Sequence, residues 1–132
     1  MSQKFLILVS APPTKPLVHL SAIRFIKESL HLDLPIASVF FYQDAVSVAN
    51  SFDRPPSDEP QLTQLWADIA SNNGIELQTC VAASYRRGII DEHQARELEF
   101  SENNLHQGFT LTGLGQLAAS LNDETIQLIH FK

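Results

Sequence analysis

The chain of 132 residues contains one cysteine, Cys80, within the stretch "GIELQTCVAASYRRG" of residues 74–88. A thiolate is both a nucleophile and a metal ligand, whereas a free thiol often serves as a small apolar filler, so the residue type alone leaves two readings open. Placement bears on the second kind of use. "IELQTC" has the character of a strand, and "VAASYRR" closed by Gly88 reads as a short helix with a glycine stop. Cys80 then stands at the carboxyl end of a strand and the first turn of a helix, which is where α/β folds gather reactive groups. Unpaired amide groups at a helix start carry roughly half a positive charge and favour thiolate over thiol. Arg86 and Arg87 could add positive potential near Cys80, but their distance along the chain suits the other end of that helix better.

Other chemistries lack their marks. His19, His31, His93, His106 and His130 lie far apart with no HxH or HExxH pair, and a single cysteine cannot build a thiolate cluster, so no metal site is expected. The absence of GxSxG, P-loop and GxGxxG patterns removes the usual signs of a serine hydrolase, a P-loop enzyme or a dinucleotide cofactor. For cysteine–histidine catalysis the candidate base is His106 in "NLHQGF", although a surface-loop histidine is the commoner explanation. A lone cysteine also excludes an internal disulfide and fits a reducing compartment. The formal charge of −6 opposes direct contact with a nucleic-acid backbone.

The elements that must position Cys80 can be read from periodicity. "FLILV" (5–9) and "IASVFF" (36–41) are apolar on both parities, as expected of central parallel strands covered on both faces. The first run is too short to span a membrane and lacks a signal-peptide cleavage pattern, so a buried strand of a cytoplasmic protein is expected. Between the two runs, Leu20, Ile23, Ile26 and Leu30 form a helical stripe after the Pro12-Pro13 turn. "NSFDRPPSDEP" (50–60) reads as an exposed loop, after which Asp58 is the expected N-cap of a helix burying Leu62, Leu65, Trp66 and Ile69. Asn72-Asn73-Gly74 ends that helix. "IELQTC" alternates in polarity, which places the third strand toward an edge or leaves one face less protected. Asp91 and Gln94 predict a capped helix through Leu98, Leu114, Leu117, Ala118 and Leu121 repeat at helical spacing, and "TIQLIHF" (125–131) predicts a strand at the sheet border. Alternating strands and helices imply right-handed crossovers. The expected fold is a single α/β domain over residues 1–132, a three-layer, open, mainly parallel sheet of about five strands with helices on both faces, of the flavodoxin-like kind.

The stretches "SVFFYQDAV", "PPSDEPQLTQLW", "CVAASYRRGIIDE" and "NLHQGFTLTGLGQLA" occur in the order found in the DsrE/TusD-like sulfur-relay family, which the chain resembles over roughly residues 4–131. The resemblance implies a cytoplasmic sulfurtransferase subunit whose Cys80 accepts sulfane sulfur as a persulfide, with no metal or organic cofactor. It further implies assembly with TusB-like and TusC-like subunits into a heterohexamer, a TusA-like sulfur donor and a TusE-like acceptor, with no membrane contact and with tRNA met only by a later enzyme. The chain departs from the family in its first loop, where "SAPPTKP" replaces a Gly-Pro-Tyr-like sequence. "SENNLHQGF" and the proline-rich 50s loop are the candidate partner contacts. Two other accounts of the cysteine remain: a non-catalytic assembly subunit in which Cys80 merely packs, and a single-cysteine redox sensor.

Overall fold

The computed structural model describes residues 3–132. Five parallel strands make one sheet in the order β4-β3-β2-β1-β5: β1 Lys4–Val9, β2 Ile36–Phe41, β3 Leu77–Cys80, β4 Phe109–Thr112 and β5 Ile126–Phe131. The helices are α1 Pro16–His31, α2 Leu62–Asn73, α3 Val81–Arg86, α4 Glu92–Glu97 and α5 Leu114–Leu121, with a 3-10 segment Gln43–Ala49 after β2. The expected α/β architecture with a parallel sheet is what forms.

Register and alternation divide the sheet into two faces. Ile7, Val39, Leu77 and Phe109 lie in one row and Val9, Phe41, Thr79 and Leu111 in the next. The rings of His19 on α1 and Trp66 on α2 both pack on Phe41, so α1 and α2 cover this face. Leu8, Phe40, Gln78 and Thr110 form a row of the opposite face, and Cys80 shares it with its register partner Thr112. The apolar centre is dense: Leu6, Ile7, Val9, Phe40, Phe41, Trp66 and Leu77 are all almost fully removed from water.

One strand meets its expectation and two details of a helix are corrected. β3 lies toward a border of the sheet, next to the edge strand β4, with β2 on its other side. Its polar Glu76 lies before the strand and Gln78 is half-buried, which is how an interior strand kept an alternating sequence. Asp58 does not cap α2; the helix begins four residues later, with Gln61 at the N-cap and no side-chain cap. Pro60 disfavours helical backbone at Glu59, which prevents a helix from starting at Asp58, and Gln61 instead donates to the carbonyls of Pro56 and Glu59. Within α2, Leu62, Trp66, Ile69 and Ala70 are buried, whereas Leu65 is 38% exposed.

β4 arises from "FTLT", a run too short to stand out in the sequence, and it becomes one edge of the sheet while β5 forms the other. α5 follows the predicted repeat of Leu114, Leu117, Ala118 and Leu121 but buries none of its residues fully. Gly74 ends α2 at φ 64°, and Asp91 accepts from the Gln94 amide at 2.8 Å to start α4, both as expected.

Candidate functional site

Cys80 is the last residue of β3 and the N-cap of α3, at the strand-to-helix junction that its sequence context predicts. Parallel pairing to Thr112 fixes its backbone on one side, and α3 begins directly after it. The short helix is ended firmly. Gly88 adopts φ 73°, its amide bonds to the Tyr85 carbonyl at 3.1 Å, and the Ile89 amide reaches the Ser84 carbonyl at 2.9 Å, the paired bonds of a Schellman stop. A left-handed residue is required there, which is why glycine follows the two arginines.

The sulfur itself departs from the expectation of an approachable thiol. Cys80 is only 2% exposed, and its side chain caps none of the α3 amides. The junction therefore positions the residue, but the thiol is buried in this chain alone. Ser84, one turn along α3, is wholly buried, and Thr112 is 4% exposed. The hydroxyls of Thr79 and Ser84 are both buried with no hydrogen-bond partner.

The arginines divide their roles. Arg87 donates to the Ala83 carbonyl at 3.0 Å, completing the end of α3 as expected of a cation in that turn. Its other nitrogens contact Asp44 Oδ1 at 3.1 and 2.8 Å, tying α3 to the 3-10 segment. Asp44 is the residue that sequence reasoning missed; only its position after β2, beside the strand that ends in Cys80, carried a signal. It follows Gln43, which holds φ 53° without being glycine. Arg86 is exposed and in no ion pair among the described residues.

His106 is not brought to the thiol. Its Nδ1 accepts from the Gly108 amide at 2.9 Å and its ring meets Phe109 edge-on, so it organises the approach to β4. It lines a cavity of about 170 Å³ with Asn50, Arg54 and Gln64, next to a second of about 280 Å³ walled by Pro13, Pro16, Pro55, Pro56 and Pro60. Cys80 lines neither. No group of three or more His, Cys, Asp or Glu side chains is placed to hold a metal ion among the described residues, and no helix among them is long and apolar enough to cross a membrane.

His19 is a second unanticipated feature. It is fully buried, with Nε2 at 2.8 Å from the Ala11 carbonyl and Nδ1 accepting from Trp66 Nε1 at 3.0 Å. Both bonds require the neutral ring protonated on Nε2. Burial pushes its pKa down, opposed by the bond to Ala11. It braces the loop after β1 against α2, on the sheet face opposite Cys80.

A family model for the DsrE/DsrF-like family matches residues 3–131. Among curated proteins, the sulfurtransferase TusD of Salmonella typhi is 43% identical over 126 residues, covering 94% of this chain and 98% of the relative. The protein of the same name from Enterobacter sp. strain 638 is 42% identical over 115 residues, covering 87% and 90%. Among solved structures, the ychN protein from E. coli superposes with a TM-score of 0.71 at 18% identity, covering 96% of this chain and 99% of the other, a likeness of fold.

Proposed function

The chain belongs to the DsrE/DsrF-like family, and on that premise we propose that it is a sulfurtransferase subunit relaying sulfane sulfur, through a persulfide on Cys80, toward 2-thiolation of the tRNA wobble uridine. The observation that carries the reading is the 43% identity to a protein named sulfurtransferase TusD over nearly the full length of both chains. The whole chain, 1–132, acts as one DsrE-like domain in the cytoplasm. Its partners are TusB-like and TusC-like subunits in a heterohexamer, a TusA-like donor and a TusE-like acceptor.

The chemistry balances without a cofactor. The Cys80 thiolate attacks the terminal sulfur of a donor persulfide R–S–SH; the donor's S–S bond breaks, R–S⁻ leaves with the electron pair, and Cys80–S–SH forms. The acceptor's thiolate then attacks that outer sulfur and Cys80 leaves as thiolate. One S–S bond is exchanged for another at each step, so no external oxidant or reductant enters. With a single cysteine in the chain, no internal disulfide can discharge the persulfide.

The buried sulfur sets a condition on this mechanism: the packing around Cys80 must open for a carrier to reach it. The same burial favours a second reading, a non-catalytic assembly subunit in which Cys80 packs. It weighs against a free-standing redox sensor, which needs an accessible thiol. One experiment separates the first two. Cys80→Ser should fold and assemble yet accept no labelled sulfur from a charged donor and support no tRNA thiolation; full thiolation by this variant would leave only the assembly role.

A further inference from the structure

A serine inside a helix either faces water or bonds back to the carbonyl four residues earlier, and this protein has two that bond back. Ser29 Oγ donates to the Phe25 carbonyl at 2.8 Å, and Ser120 Oγ donates to the Gln116 carbonyl at 3.1 Å. Ser84 does not. Its hydroxyl is buried without a partner, and the residue four positions earlier is Cys80.

Cys80 is the N-cap of α3, and an N-cap carbonyl accepts the first bond of its helix, from the residue four positions on. Side chains in a helix tilt toward its N-terminus, so Ser84 overlies the turn that opens at Cys80. A buried thiol at the N-cap and a buried hydroxyl one turn into the helix therefore lie four residues apart, the thiol capping no helix amide and the hydroxyl without a hydrogen-bond partner. Thr79 is the other orphaned hydroxyl, but strand alternation turns it to the face that carries Phe41 and Leu111. It is thereby separated from the sulfur. A buried hydroxyl left unpaired is unfavourable, and it gains a strong acceptor only when the neighbouring sulfur carries charge.

We propose that the Ser84 hydroxyl donates a hydrogen bond to anionic sulfur on Cys80, the thiolate that starts the exchange and the deprotonated persulfide that it forms. The inference rests on the sulfur-relay reading for its purpose but not for its test. Ser84 supplies no proton to the products and takes none; it holds charge on the sulfur while the S–S bond is exchanged. In the resting, protonated state the sulfur is only a weak acceptor and the hydroxyl is not bonded to it, so the bond forms when charge on the sulfur draws the hydroxyl round.

The test compares wild type with Ser84→Ala and Ser84→Thr. Persulfide formation on Cys80 from glutathione persulfide and alkylation of Cys80 by iodoacetamide are both followed from about pH 6 to about pH 10. Ser84→Ala should slow both reactions about tenfold near neutral pH, the effect of losing one hydrogen bond to a charged group. At the alkaline end, where thiolate forms unaided, the variant should converge on wild type. Ser84→Thr should restore the wild-type profile, and Ser84→Ala should melt no lower than wild type, because it removes an unpaired polar group. Equal rates for Ser84→Ala and wild type across the range would overturn the inference, as would a slowing of the same size at every pH or a lowered melting temperature. If wild type alkylates with the expected dependence on Ser84 but takes up no sulfur, the relay reading fails and the hydrogen bond stands.

Discussion

His19 shows how one side chain sets a pH response. The neutral ring satisfies both Ala11 and Trp66, while a proton on Nδ1 would face the indole N–H, donor against donor. Burial lowers its pKa in the folded chain below the ordinary imidazole value. The unfolded chain therefore takes up the proton first as pH falls, and ∂ΔG/∂pH is positive over that interval. The stabilisation is fully present above the unfolded value of about 6.5 and is lost progressively below it, down to the folded value. Urea midpoints measured across this interval should decline on acidification, and His19→Leu should remove that part of the decline. The same variant should be about 1–3 kcal/mol less stable at pH 8, since it strands the Trp66 N–H and the Ala11 carbonyl. A slope unchanged by the substitution would show that other groups carry it. Nothing in the helical stripe of Leu20, Ile23, Ile26 and Leu30 announced this residue, because a histidine's partners come from elements 8 and 47 positions away in sequence.

At the level of elements, α3 starts directly after the buried Cys80, and two devices hold its far end. One is the left-handed Gly88, where an added Cβ meets no neighbour but the backbone conformation disfavours it. Gly88→Ala should lower stability by about 1 kcal/mol, read as a fall in urea midpoint at constant slope. The other is the Arg87–Asp44 pair, whose side chains are 32% and 64% exposed. Exposed pairs of this kind contribute about 0–1 kcal/mol. Asp44→Asn should therefore leave global stability nearly unchanged yet speed alkylation of Cys80 by up to about fivefold, with the difference shrinking at high salt. No change in alkylation would mean that α3 is held by packing alone. The glycine stop was legible in "YRRG" because the requirement is local. The ion pair was not, since Asp44 and Arg87 meet only after β2 and β3 have paired.

Across the whole molecule, what was legible follows the range of the interaction that decides it. β1, β2, α1 and β5 were readable because hydrophobic period fixes them, and the junction at Cys80 because a strand run abuts a helix run. The short β4 and the burial of the thiol depend on what packs beside them, which no window of sequence contains. α5 is the sharpest case. Its apolar residues recur at helical spacing as read from the sequence, yet Leu114 is 46% and Leu121 42% exposed. Leu114→Ser and Leu121→Ser should each change stability by less than about 0.5 kcal/mol, whereas Phe40→Ala in the opposite situation should cost about 3–5 kcal/mol. Equilibrium denaturation of the three variants checks the contrast.

The chain holds a single tryptophan, and that indole is the one whose N–H is bonded to His19. It is wholly enclosed and edge-packed on Phe41. Its fluorescence is consequently a one-chromophore gauge of the interior: a blue emission maximum in the folded chain, a red shift on melting, and quenching when an acidic jump puts charge on the adjoining imidazole before the chain has come apart.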